Sequence, residues 1–530
     1  MIDNRIEQPP VALPAGALHS LRTRPGLPTL PRRWAYPGPQ AMAVAVTGVF
    51  FALYVLVSVR RHQRMLSAAY DLGIFEQGVR GYAHGSAPIA ELKGPGFNLL
   101  GDHFHPVLAL LAPVYRLFPT PLTLLVGQAA LMALACLPLT RWAHRTAGPV
   151  AGLVVGGSVG ASWGIAAAIG YDFHEICFAV PLLAFAAEAL GRRRWRTAAL
   201  LSLPLLLVKE DLGLTLAAIG AYIAWHGSRG TGGIRNSQGT HGTDNAPTPA
   251  ERRRALRLGL AVIVLGVTGT VVETAVLLPA VSPHGTFDYW HQMTDGSGAG
   301  APAGSALLLP LRLLWPPLKW LLLAMLAAPT ACVGLRSPLV LLCVPTLAWR
   351  LLADNVHYWE PNYHYSAVLM PVLFAGLVDA LGRRPHLLAP ARLKRILGCC
   401  AAFAVLTTAI YPLHDLVLPS TYRTSAHVHT AHRLLARIPD GARVAASNRL
   451  APLLVSRTTV SLVCQVPGPD AAAPPDWVVA DRTDPTVHVP CASALTSRML
   501  DAYRAVGYRT AADEDGILVL RSPALPQADE

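Results

Sequence analysis

Charge is missing from most of this chain and returns in bursts. Only 14% of its 530 residues are charged, against about 25% in an ordinary soluble protein. The deficit falls in long apolar stretches, each ended by a short polar or basic piece. Such stretches cannot all be buried in aqueous cores. They read as membrane spans joined by loops, with lipid as the solvent for most of the chain. The residues predict an α-helical polytopic membrane protein of about eleven transmembrane helices. The expected spans are 41–59, 119–140, 147–169, 175–190, 197–209, 211–226, 257–279, 318–335, 338–353, 365–381 and 396–414. Two shorter apolar pieces, 106–117 and 305–316, read as interfacial or re-entrant.

The formal net charge is +13, but its distribution excludes nucleic acid as a partner. The basic residues cluster at span ends, as the positive-inside rule requires, and no aromatic-interleaved basic stripe appears. With the N-terminus inside, the clusters around Arg141, Arg192, Arg252, Arg336 and Arg383 all fall in cytoplasmic loops. Arg60, Arg61 and Arg64 fall outside, against the rule. They read either as a grip on an anionic lipid head, through arginine's planar donor fork, or as plain attraction to lipid phosphates. The localisation expected is the cytoplasmic (cell) membrane, multi-pass, with the C-terminal domain outside.

Three regions differ from the multi-pass domain at 40–414. Residues 1–39 are Pro-rich and read as a disordered cytoplasmic tail. Residues 227–256 read as a flexible cytoplasmic loop. Residues 415–530 read as a small soluble α/β extracytoplasmic domain, with strands at 444–447, 477–480 and 517–520 and helices at 429–438 and 493–506. Cys464 and Cys491 lie there, where an oxidising compartment would permit a disulfide. The other six cysteines lie in apolar stretches without zinc-type spacing and read as small apolar filler.

On this topology the outer side receives most of the carboxylates and histidines near the membrane: "YDLGIFEQ" (70–77), "GDHFHP" (101–106), "YDFHE" (171–175), "KED" (209–211), "TFDYWHQ" (286–292) and "DNVHYWEPNYHY" (354–365). Polar groups are costly near lipid, so their convergence predicts a lined cavity. Asp71 reads either as a first-turn helix acid or as a general base on an acceptor hydroxyl. Asp102, His103 and His105 form a second group. Asp172, His174 and Glu175 form a third. Lys209, Glu210 and Asp211 are either a tight loop or a lysine that neutralises phosphate between orienting acids. Tyr358, Trp359, Glu360 and His364 would contact substrate, although the aromatics also suit a membrane-interface belt. A divalent metal would take His103 and His105 with His174 or Glu175, and carboxylates plus phosphate oxygens would suit magnesium or manganese. Glu273 is an acid within a span.

The chain has no Walker loop, Rossmann glycine fingerprint, HExxH or GxSxG. Its stretches "YDLGIFEQGVRGYAHG", "GDHFHPVLALLAPVYRLFPTPLTLLVGQA", "YDFHEICFAVPLLAFA", "LLLVKEDLGLTLAAIGAY", "HYWEPNYHYSAVLMPVLFAGLV" and "ASNRLAPLLVSRTTVSLV" resemble a bacterial family of predicted membrane proteins of unknown function. That family is in turn distantly similar to the C-type (GT-C) glycosyltransferase superfamily. The resemblance implies a lipid-phosphate-linked sugar donor and a catalytic aspartate in the first outer loop, where Asp71 stands; the second acid of that superfamily's usual pair would have to be Glu76 or Asp102. The reading expected is transfer of a sugar from a polyprenyl-phosphate carrier at the outer membrane face. The alternatives are a lipid or solute carrier, for which Glu273 speaks, and a non-catalytic membrane scaffold or sensor.

Overall fold

The computed structural model describes residues 37–229, 248–287, 289, 313, 315–353, 355–465, 473–484 and 490–525. The expected tail at 1–39 and the apolar piece at 305–316 lie almost wholly outside the described residues. Helix α1 spans Pro39–Gln63, with proline in its first turn and Arg60, Arg61 and His62 in its last. Its 25 residues run about 37 Å, longer than the roughly 30 Å hydrocarbon core. The arginines therefore lie past the apolar stretch.

Five described helices are long and apolar enough to cross a membrane: Pro39–Gln63, Pro121–Ala147, Pro149–Gly170, Pro249–Val281 and His364–Arg383. Four shorter apolar helices accompany them, at Pro106–Leu117, Trp195–Leu207, Leu318–Thr330 and Pro338–Leu352. Proline accounts for much of the shortening. The Leu203–Leu207 and Pro338–Cys343 segments are 3-10 turns with Pro204 and Pro338 in their first turns. The 106–117 piece is likewise a 3-10 turn followed by a six-residue helix.

The loop expected at 227–256 is shorter among the described residues. Leu212–Arg229 is helical to its end, and the next helix opens at Pro249 behind a capping box of Thr248 and Glu251. These two helices pack through Gly213, Gly220, Gly259 and Gly266, where an added methyl would strike the facing backbone. That close approach brings the Lys209–Asp211 turn beside Thr270, whose hydroxyl donates to the Glu210 carbonyl at 2.9 Å.

The C-terminal part is an α/β layer. Strands β1 (Arg443–Ala446), β2 (Thr459–Leu462), β3 (Trp477–Asp481), β4 (Arg509–Glu514) and β5 (Ile517–Arg521) form one sheet in the order β2-β1-β3-β5-β4. β1 runs parallel to β2 and β3, whereas β5 is antiparallel to β3 and β4. Two of these strands were not expected. β4 is mostly exposed and carries too little apolar pattern to announce itself, and β2 is a four-residue strand in which Thr459 and Ser461 alternate with Val460 and Leu462. The two expected helices are Ala426–Leu435 and Ser493–Ala505. Cys464 and Cys491 are joined as a disulfide, with a Cα–Cα distance of 5.6 Å.

This layer is joined closely to the first long loop. Met65, Ala69, Ile74, Leu92 and Leu99 share one buried apolar cluster with Leu434, Leu450, Val455 and Val460. Helix α2 (Ile74–Ala83) adds polar ties: the Gln77 amide donates to the Val460 carbonyl and Arg80 to the Val455 and Thr458 carbonyls, each at 2.7 Å.

Candidate active site

A cavity of about 470 Å³ lies where the first loop meets the ends of several helices. Asp71, Asp102, His103, His105, His174, Glu175, Lys209, Glu210, Tyr358 and His364 all line it. These expected residues come from five separate stretches of sequence.

Asp71 sits on a break in the backbone. Between α1 and α2 the chain makes a single π-helical turn, Ala69–Gly73, in which Asp71 has φ 110° and ψ −92°. A non-glycine residue there is strained by about 1–3 kcal/mol and persists only when its surroundings hold it. The Asp71 carboxylate accepts from, or shares a proton with, His174 Nε2 at 3.1 Å. Its side chain keeps 28% of its surface accessible, so a ligand in the cavity can reach it. Burial raises the Asp71 carboxyl above the usual aspartate range, against the opposing pull of His174. The His174 ring in turn stacks on His364, with centroids 3.6 Å apart.

Asp102 has the opposite electrostatics. Burial pushes its carboxyl up, but His103 and Lys93 outweigh that effect and hold it below the usual range. Lys93 Nζ lies 2.5 Å from Asp102 Oδ2, and the Tyr289 hydroxyl donates to Oδ1 at 3.3 Å. Two acids on one cavity wall are thus shifted in opposite directions.

The remaining charges pair around the void. His103 Nδ1 is 2.8 Å from Glu210 Oε1, and its ring stacks on Tyr289 at 4.5 Å. Lys209 Nζ donates to Glu175 Oε1 at 3.1 Å. Trp349 Nε1 donates to Asp211 Oδ2 at 2.8 Å. His105 is buried against Phe75, and burial lowers its imidazole to about 4, so it is neutral. The histidines and carboxylates thus form couples rather than converging on one point. Among the described residues no group of three or more His, Cys, Asp or Glu is arranged to hold a metal ion.

Seven expected residues do not line the cavity. Arg61 forms an ion pair with Asp415 at 3.0 Å, and Arg60 donates to the Thr421 carbonyl at 3.0 Å. The backbone N–H of Arg64 closes the end of α1 on Arg60 and Arg61. The arginines that broke the positive-inside pattern thus include two that tie α1 to the 412–422 segment. Glu76 lies behind Phe75 on α2, fully buried, and accepts from the Tyr115 hydroxyl at 2.8 Å. Burial pushes its carboxyl up to about 8, which makes it a neutral core acid. Asp172 accepts from the Ala68 N–H at 2.6 Å, supporting the Asp71 turn from behind. Trp359 donates to the Arg350 carbonyl at 2.7 Å under Lys319, and Glu360 faces His357 at 3.6 Å. Glu273 is buried on its own π-helical turn; its neighbours Thr270 and Thr274 line the cavity instead.

Lys93, Thr270, Thr274 and Trp349 line the cavity without having been singled out from the sequence. Lys93 sits in a mixed polar loop with nothing to mark it. Tyr289 reads from sequence either as an interfacial aromatic or as a ring that stacks on a sugar face, and it lines the cavity stacked on His103.

No curated protein matches this sequence. Among solved structures, the crystal structure of ArnT from Cupriavidus metallidurans bound to undecaprenyl phosphate shares the fold, with a TM-score of 0.53 at 13% identity over 91% of this chain and 97% of that one. The distant likeness to the GT-C superfamily therefore holds at the level of the fold. Residues 61–519 match the model of the family described as "Predicted membrane protein (DUF2079)", and the chain belongs to that family.

Proposed function

We propose that this chain is a membrane glycosyltransferase that moves a sugar from a polyprenyl-phosphate-linked donor to an acceptor hydroxyl at the outer face of the cytoplasmic membrane. The observation that carries this reading is Asp71: a strained acid with a raised proton affinity, open to a cavity that also holds Lys93 and Lys209. Its fold likeness to a protein crystallised with undecaprenyl phosphate supports the choice of donor class.

In this reading Asp71 takes the proton from the acceptor hydroxyl while the acceptor oxygen bonds to the anomeric carbon. The bond from that carbon to the phosphate oxygen breaks, and its electron pair leaves with the polyprenyl phosphate. Lys209 and Lys93 offset the developing charge on the leaving phosphate. His174 orients the Asp71 carboxylate and balances its charge. Tyr289, Trp349, Tyr358 and Tyr365 offer aromatic faces to the sugar. The C-terminal layer lies on the same outer side, which suits its disulfide.

The test is binding of undecaprenyl phosphate to the purified full chain in detergent, for wild type, Asp71→Asn and Lys209→Gln. Saturable binding that survives Asp71→Asn and weakens about tenfold in Lys209→Gln is expected. A folded wild type that binds none overturns the donor assignment.

A further inference from the structure

The Asp71 turn is held by the far end of the chain. Its conformation is strained, so something must over-determine it. Asp172 holds Ala68 from the bundle side. Among the described residues, the other side-chain hydrogen bonds to the backbone of Ala69 and Tyr70, and to the Tyr70 hydroxyl, come from the C-terminal layer. The Ala69 N–H is shared between the Asn448 carbonyl at 2.8 Å and its Oδ1 at 3.0 Å. The Tyr70 N–H reaches the same Oδ1 at 3.4 Å. The Gln465 amide donates to the Tyr70 hydroxyl at 2.8 Å.

The two side chains stand in a telling place. Asn448 follows β1 directly, at the carboxyl end of a strand with parallel neighbours on both sides. Gln465 follows β2 and adjoins the disulfide-bonded Cys464. Carboxyl ends of parallel strands are where α/β layers present their functional side chains. Here those ends face the catalytic turn.

We propose that Asn448 and Gln465 are positioning residues that clamp the Asp71 turn, so that the C-terminal layer sets the geometry of the base. The inference rests on the reading of Asp71 as general base. The side-chain oxygen of Asn448 acts as an acceptor toward the turn, so aspartate at this position preserves the clamp, whereas alanine keeps only the main-chain carbonyl's bond to Ala69.

Hydrogen exchange followed by mass spectrometry on the full chain in detergent tests this without any assay of transfer. In Asn448→Ala, exchange in peptides spanning 66–73 should quicken about threefold, and in Asn448→Ala/Gln465→Ala about tenfold. Peptides from β1 and β3 should be unchanged, and Asn448→Asp should retain wild-type protection. Where transfer is measurable, the double variant lowers kcat and leaves KM for the donor unchanged. Unchanged exchange at 66–73 in the double variant overturns the clamp. So does faster exchange that appears equally in β1 and β3, since that is general loosening of the layer. A chain that shows the clamp by exchange but binds no undecaprenyl phosphate overturns the function reading and leaves the clamp standing.

Discussion

Buried carboxylates occur at both ends of the helices that lead away from the cavity, and the two ends treat them differently. Glu175 faces the cavity; Glu188 lies 13 residues further along the same run, roughly 20 Å away at helical rise. Arg141 donates to Glu188 through both Nε and Nη2, and Arg192 adds a contact at 3.4 Å. Asp379 lies near the other end of the helix that follows His364. It accepts from Ser337 at 2.6 Å and pairs with Arg383 at 2.7 Å. Neither carboxylate lines the cavity. At the cavity end the partners are histidine, lysine and tryptophan instead, and the couples surround empty space. Arginine forks lock an acid in place. Histidine and lysine can exchange protons or shift toward a ligand. The comparison separates acids that hold the bundle from acids available for chemistry, and four substitutions test it.

The largest effect is expected at Asp71. Asp71→Asn should lower transfer by about 10²- to 10⁴-fold while leaving the melting temperature in detergent near wild type. A variant with near-normal transfer would return Asp71 to a purely structural role. Next comes Glu188→Ala, which should leave undecaprenyl phosphate binding intact but cost about 1–3 kcal/mol of stability, read from thermal unfolding. The lower part of the range for buried ion pairs applies because Arg141 keeps some access to solvent.

A pH profile sharpens the contrast further. A general base must be ionised, so transfer should rise with pH as Asp71 loses its proton, with the midpoint above the ordinary aspartate value of about 3.9. His174 pulls the Asp71 proton affinity down. In His174→Ala the rising limb should therefore move to still higher pH; a shift downward would contradict the assigned pairing. The smallest effect is expected from Ser337→Ala, which removes one hydrogen bond to Asp379. It should lower stability by about 1 kcal/mol with no change in ligand binding or pH profile.

Much of the cavity was legible because a polar residue inside an apolar chain stands out. "GDHFHP", "YDFHE" and "KED" announce themselves by interrupting hydrophobic runs, and all three contribute lining residues. The arginines after α1 stood out equally well, yet two of them serve packing: charge pattern reveals position relative to lipid, and it cannot distinguish a phosphate ligand from a partner such as Asp415. Glu76 shows a different limit. It is adjacent to Phe75, and one helical step of about 100° separates a cavity-facing ring from a core-facing acid. The strands of the C-terminal layer were readable where alternate or continuous burial leaves an apolar run, as at Ile517–Arg521. The exposed edge strand Arg509–Glu514 carries no such signature. Lys93 was invisible because its partner, Asp102, lies in a different turn of the same loop.

The tie between Ala69 and Asn448 joins residues 379 positions apart. During synthesis the first long loop emerges early, and its partner only after the whole bundle has been made. The turn that carries Asp71 therefore cannot take its final shape until the last fifth of the chain has folded. A nascent or truncated protein would have an inserted bundle and an unfinished Asp71 turn, so the site is completed late, as a consequence of the order in which the chain is built.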